Sequence, residues 1–300
     1  MTKIFGIPIL LAVICGASFP YYAISLFPIA FIFLFLIIVW AGLTIEWKGL
    51  AAIVKKPGDI FIGIACLFIL FPGLQWVIAR AIISDKQLLY GLVFTSLTPV
   101  AVVAPFFTKA VGGDEELSFL ILVCSMVICP FVSPVLLKIF VGSTIPIDSW
   151  LLFKNMLFLI TVPLLISYLI YRFLPKLKQL ITPALPMLNM SCLSLLIYTL
   201  WGALVGRVNL SYTSMTDIAL ILLMVFLQDF GVLALSKSVF HKIYNPRTAN
   251  ALVVSLSMKN VAVAAGILLF YDPGASVPAA LAFIAHAFLF NFIALAKRFF

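Results

Sequence analysis

The sequence predicts an all-α polytopic membrane protein of ten transmembrane helices, built as two inverted five-helix repeats. Three observations predict it. Apolar residues make up 65% of the 300 positions and charged residues 10%, with a mean hydropathy of +1.26, against about 45–50% apolar content in a soluble domain. The apolar runs approach the roughly 20 residues that a spanning helix needs, and short turn or charged segments divide them. Polar or proline interruptions stand at matching places in the two halves, 1–149 and 150–300.

Hydropathy places the spans near 4–20, 23–43, 58–82, 88–111, 117–140, 150–172, 187–206, 214–238, 247–270 and 275–297. The first, Lys3 followed by an apolar run to Ala17, mimics a signal peptide, and Cys15 mimics a lipidation site. Ile14 is too bulky to precede such a cysteine, so the run is read as helix one. Phe19-Pro20 separates it from the second span, and Lys55-Lys56-Pro57-Gly58 precedes the third. Asp85-Lys86 opens the fourth and Gly112-Gly113-Asp114-Glu115-Glu116 the fifth. In the second half the divisions are Pro175 to Pro186, Asn209-Leu210-Ser211, Asn245-Pro246-Arg247 and Asp272-Pro273-Gly274, all turn-forming chemistry.

The net charge of +9 is spread between apolar runs instead of forming one patch, so it argues for membrane topology and against a nucleic-acid partner. With a cytoplasmic N-terminus, Lys3, Lys48, Lys55, Lys56, Lys109, Arg172, Lys176, Lys178, Lys237, Lys242, Arg247, Lys297 and Arg298 fall inside. Arg80, Lys86, Lys138, Lys154 and Arg207 fall outside. That bias puts both termini in the cytoplasm of a bacterial plasma (inner) membrane. Because five is odd, the second five spans run opposite to the first, as in inverted-repeat transporters, whose substrate site lies at the midplane between discontinuous helices.

The fourth span carries Thr98, Pro99 and Pro105, and each proline removes a backbone hydrogen bond and clashes with the preceding turn. The ninth carries Ser255-Leu256-Ser257-Met258-Lys259-Asn260 in an otherwise apolar run. Both are therefore expected to be broken helices. A charge at the centre of a span costs about 2.5–3.5 kcal/mol on insertion scales and normally has a partner in the bundle. Lys259 and Asp229 qualify, and they are expected to approach each other, with Asn260, Ser255 and Ser257 supplying hydrogen bonds nearby. His286 reads equally as a packed core residue or a proton relay, and His241 belongs to a basic loop. The five cysteines (Cys15, Cys66, Cys124, Cys129, Cys192) have no metal-ligand spacing. There is no nucleotide-binding glycine loop and no nucleophile beside a base, so neither a catalytic residue nor a metal or other cofactor is assigned.

Several segments together resemble the bile acid:sodium symporter family: Ala41-Gly42-Leu43-Thr44 through Lys56-Pro57, Ile62-Gly63, Phe68 to Pro72, then Pro99, Leu117-Ser118, Pro130 and Pro134, and above all Ser255 to Asn260. The resemblance implies a panel-and-core architecture with the two broken helices crossing at the substrate site. It also implies departures where that family binds sodium. The family's ninth-helix glutamate is Ser255 here, its following glutamine is Lys259, its third-helix glutamine is Leu67, and its Ser-Asn pair is Ala104-Pro105. The expected function is secondary transport of a small organic anion, independent of sodium, with Lys259 and Asp229 open to proton coupling. An auxin-efflux-like carrier and a cation:proton antiporter share this plan. A non-transporting receptor or assembly partner is the alternative from another class.

Overall fold

A computed structural model of the chain describes residues 6–44, 57–142, 148–207, 214–295 and 299–300. The expected Lys55-Lys56 and Asn209-Leu210-Ser211 turns, with Lys48, Lys297 and Arg298, lie outside the described residues. Within them the regular structure is helical, because in hydrocarbon a helix satisfies its own backbone. Seven helices are long and apolar enough to cross a membrane among the described residues.

In chain order the helices are α1 (Gly6–Ser18), α2 (Pro20–Thr44), α3 (Pro57–Ile82), α4 (Lys86–Ser96), α5 (Ala104–Ala110), α6 (Glu115–Val141), α7 (Ser149–Phe173) and α8 (Pro175–Ile181). They continue with α9 (Leu185–Arg207), α10 (Met215–Ile243), α11 (Pro246–Ser257), α12 (Val261–Tyr271) and α13 (Val277–Leu295). Three of the long helices contain a π-type turn: Cys66–Leu70 in α3, Leu157–Thr161 in α7 and Leu227–Gly231 in α10. Where the sequence expects a break between Pro175 and Pro186, the structure instead carries α8 and a 3-10 turn, Thr182–Ala184. Pro175 and Pro183 sit in first-turn positions, where a missing N–H costs little.

Large apolar side chains face outward on the long helices, among them Phe61, Phe131 and Ile139, all more than half exposed. A bilayer is the solvent that suits such a surface. Packing separates two groups. In the first, α9 runs closely along α1 and α2, and α7 also packs on α2. A Cβ on Gly16 would stand 2.6 Å from the Tyr198 carbonyl oxygen, so small residues permit this approach. Ser167 Oγ ties α7 to α2 by donating to the Val39 carbonyl at 2.7 Å.

The second group is built around α6, which touches α3, α4, α5 and α11 and also packs on α7 of the first group. α13 adjoins α4, α10 and α12, and it also meets α1 of the first group. The four short helices α4, α5, α11 and α12 set this group apart. At 11 residues, α4 and α12 reach about 16 Å, roughly half of a hydrocarbon core. Each pair is interrupted by non-helical chain, at 97–103 and 258–260. The interruptions fall in the two segments that the prolines and the polar insert mark in the sequence.

Candidate functional site

The two interruptions meet. Val100 and Lys259 form an isolated antiparallel bridge, in which Ala101 N donates to Met258 O at 2.7 Å and Asn260 N to Pro99 O at 2.8 Å. Each break thus satisfies backbone groups that the other leaves without a helical partner, which unwound chain inside a membrane protein requires. Side chains from α6 close the remainder. Ser125 Oγ accepts from Val100 N at 3.1 Å, and Ser133 Oγ donates to Leu97 O at 2.7 Å. Asn260 caps α12 by accepting from Val263 N through its side chain at 3.3 Å. Pro105 stands in the first turn of α5, where it disrupts nothing.

Lys259 is 2% exposed. Its ammonium donates to the Leu67 carbonyl of α3 at 2.8 Å. The local geometry of α3 explains why that oxygen is available. In the π-type turn Phe71 N donates to Cys66 O, one residue further back than in an α-helix. The next donor in the same register, to Leu67 O, would be residue 72. Pro72 has no N–H. Leu67 O is therefore orphaned by the turn and the proline together, and Lys259 supplies the missing donor.

Lys259 and Asp229 lie within range of each other's charge but form no direct ion pair. His286 of α13 stands between them, with Nδ1 2.7 Å from Asp229 Oδ2 and Nε2 2.8 Å from the Lys259 carbonyl oxygen. Asp229 lies in the π-type turn of α10 and is fully buried. Its contact with His286 has ion-pair length, but the ring N–H is not aimed squarely at the oxygen, and neither carboxylate oxygen has another donor among the described residues. Gln228 beside it is buried, and its amide meets no partner among them either.

The remaining expected residues divide by role. Ser255 hydrogen-bonds Ser118 of α6 at 2.8 Å, Ser257 bonds back to Val254 O at 3.2 Å, and Thr98 bonds back to Thr95 O at 2.8 Å. These hydroxyls are spent on the scaffold and do not reach Lys259 or Asp229. Pro99 contributes its carbonyl to the bridge.

A cavity of about 1350 Å³ opens beside the bridge. Lys259, Asn260 and His286 line its depth, Pro105, Phe106, Phe119 and Phe290 its walls, and Lys109, Glu115 and Arg247 its mouth. Thr98, Pro99, Asp229, Ser255 and Ser257 do not line it. Sequence reasoning missed the Leu67 carbonyl and left His286 undecided. Phe71-Pro72 behind an apolar run was the signal for the first.

These residues do not fit a sodium ion, which needs several oxygen ligands. Leu67, Ala104 and Pro105 offer no side-chain oxygen, the Leu67 carbonyl is taken by an ammonium, and Ser255 is bonded to Ser118. Among the described residues no three His, Cys, Asp or Glu side chains come together to hold a metal ion.

Comparison with known proteins agrees with the resemblance. The family model "Sodium Bile acid symporter family" matches residues 31–209, which ends before the bridge's second strand. The probable sodium/metabolite cotransporter BASS3, chloroplastic, of Oryza sativa subsp. japonica is 28% identical over 52% of this chain and 37% of its own length. The uncharacterized sodium-dependent transporter YocS of Bacillus subtilis (strain 168) is 23% identical over 62% of the chain and 58% of its own length. The sodium/bile acid cotransporter 7 of Mus musculus is 26% identical over 63% and 56%. The matched segments thus span about a third to just over half of these relatives. Polytopic, helical, and matched over more than half its length by that model, the chain belongs to the sodium bile acid symporter family.

Proposed function

We propose that this chain is a secondary transporter of a small organic anion, of bile-acid or carboxylate type, working without sodium. The observation that carries the reading is the Lys259 ammonium on the Leu67 carbonyl. A fixed cation holds the place where sodium would bring positive charge, so a site that sodium must fill in order to assemble is assembled already. Apolar walls with Lys259 and Asn260 at the end of the cavity suit an amphipathic anion. The N-terminus of α12, which opens onto the same cavity, adds a favourable dipole for negative charge.

The architecture we assign is ten spans, counting α4–α5 and α11–α12 as one broken span each, in inverted repeats 1–149 and 150–300. The group of α1, α2, α7 and α9 is the panel and the group around α6 the core, with both termini cytoplasmic in a bacterial inner membrane. Relative motion of the two groups would expose the cavity alternately.

The test is uptake by proteoliposomes of labelled cholate and benzoate, with sodium or potassium as the only alkali cation, for wild type and Lys259→Gln. Uptake indifferent to the cation and lost in the variant supports the reading. A sodium requirement overturns it.

A further inference from the structure

We propose that the Asp229–His286 pair is a proton-binding site that takes up one proton for each organic anion carried, while Lys259 remains the fixed cation. The proposal rests on the transporter reading above and moves the exchangeable proton from Lys259 to two residues on other helices.

Hydrogen-bond chemistry sets the proton count. The Lys259 carbonyl can only accept, so His286 Nε2, 2.8 Å away, carries a hydrogen. That leaves Nδ1 facing Asp229 Oδ2 at 2.7 Å. Were both deprotonated, a lone-pair nitrogen and a carboxylate oxygen would be held 2.7 Å apart inside the protein with no proton to share. The arrangement holds one further proton, carried by the more basic Nδ1, and that is the proton assigned to exchange. When it leaves, a neutral imidazole and a bare carboxylate remain, and water in the cavity receives it.

Access and isolation fit the assignment. His286 lines the cavity and Asp229 does not, so protons reach the carboxylate through the imidazole. Other titratable side chains on the packed elements lie along the helix, at the cavity mouth or with partners of their own. Lys237, His241 and Lys242 of α10 are at least eight residues from Asp229, about 12 Å or more along the helix. Arg247 of α11 is at the cavity mouth, as is Lys109 of α5. Tyr90 of α4 and Tyr271 of α12 stack on each other toward the Asp272 end. Asp217 lies in the first turn of α10, where its N–H donates to the Ser214 cap, and Cys15 of α1 is exposed. Cys129 of α6 bonds Ser133. Lys259 is the charge that faces the pair.

Coupling follows from the charge count. Loaded, the pair is neutral and Lys259 leaves the site with one positive charge, which an anion in the cavity balances. Unloaded, the pair is negative and cancels Lys259, so an entering anion would be an uncompensated buried charge. Proton and anion therefore enter together.

The test has two arms. With two histidines in the chain, a His241→Gln protein labelled with ¹⁵N-histidine and held in lipid nanodiscs reports His286 alone. Between about pH 5 and 9 its ring should change protonation once, with a midpoint that moves in Asp229→Asn. A ring that keeps one state, or the same midpoint in that variant, overturns the site. In proteoliposomes, an inward-directed gradient of one pH unit should accumulate cholate about tenfold for one proton per anion, and in His286→Gln and Asp229→Asn the ratio of accumulation to equilibrium exchange should fall by about that factor. An unchanged ratio overturns the coupling. Wild type that neither accumulates nor exchanges cholate removes the transporter reading and the coupling with it, while the resonance titration still decides whether the pair binds a proton.

Discussion

Pro72 and Lys259 act on one atom, and a double-mutant cycle can show it. In wild type, Lys259→Met leaves the Leu67 carbonyl buried without a donor, a penalty of about 1–3 kcal/mol. Release of the ammonium from the interior acts in the opposite direction, so the single variant does not isolate the bond. Pro72→Ala supplies an N–H in register with the one that Phe71 gives Cys66. In that background the carbonyl is satisfied whether or not Lys259 is present, while the ammonium desolvation is common to both arms of the cycle. Lys259→Met should therefore be less destabilising, or more stabilising, in the Pro72→Ala background than in the wild-type one by about 1–3 kcal/mol. Unfolding in mixed detergent micelles, titrated with sodium dodecyl sulfate, gives the four stabilities. If the two substitutions add to within about 0.5 kcal/mol, the carbonyl is not shared and the account of the α3 turn is wrong.

Other substitutions test the frame around the site. Ser133→Ala removes the 2.7 Å donor to Leu97 O and should cost about 1–3 kcal/mol in thermal unfolding. Asn245→Ala deletes the N-cap of α11, whose side chain accepts from Thr248 N at 3.0 Å, at about 0.5–2 kcal/mol in the same assay. Gly202→Val would drive a side chain into Ala23 of α2 and should cost at least about 1–3 kcal/mol, read as lost monodispersity in detergent. Glu115→Gln breaks an ion pair whose side chains are 70% and 48% exposed, and it should leave stability within about 1 kcal/mol of wild type.

The two breaks were legible because proline and clustered polar residues are conspicuous in hydrocarbon-length runs, and Lys259 was legible for the same reason. The π-type turns were not. One extra residue in a uniformly apolar helix changes neither composition nor any visible period, so Cys66–Leu70 and Leu227–Gly231 read as plain helix. Nor could the sequence join Asp229 to His286, which lie on α10 and α13 and meet through the rotation of two helices about their own axes. Ser255 and Ser257 drew attention as polar residues beside a lysine, yet their hydroxyls are spent on Ser118 and Val254. Spacing identifies a polar residue inside a span, whereas its partner depends on which neighbouring helix faces it.

The bridge between Val100 and Lys259 is made by main-chain atoms on both sides. Its bonds survive most replacements of the side chains around it, so the crossing is insulated from drift in the residues that line the cavity. A lineage can therefore vary the side chains at the rim of that junction by point substitutions without first rebuilding the junction. In this chain a lysine and a histidine stand at that rim, and the peptide groups beneath them still hold the two broken helices together.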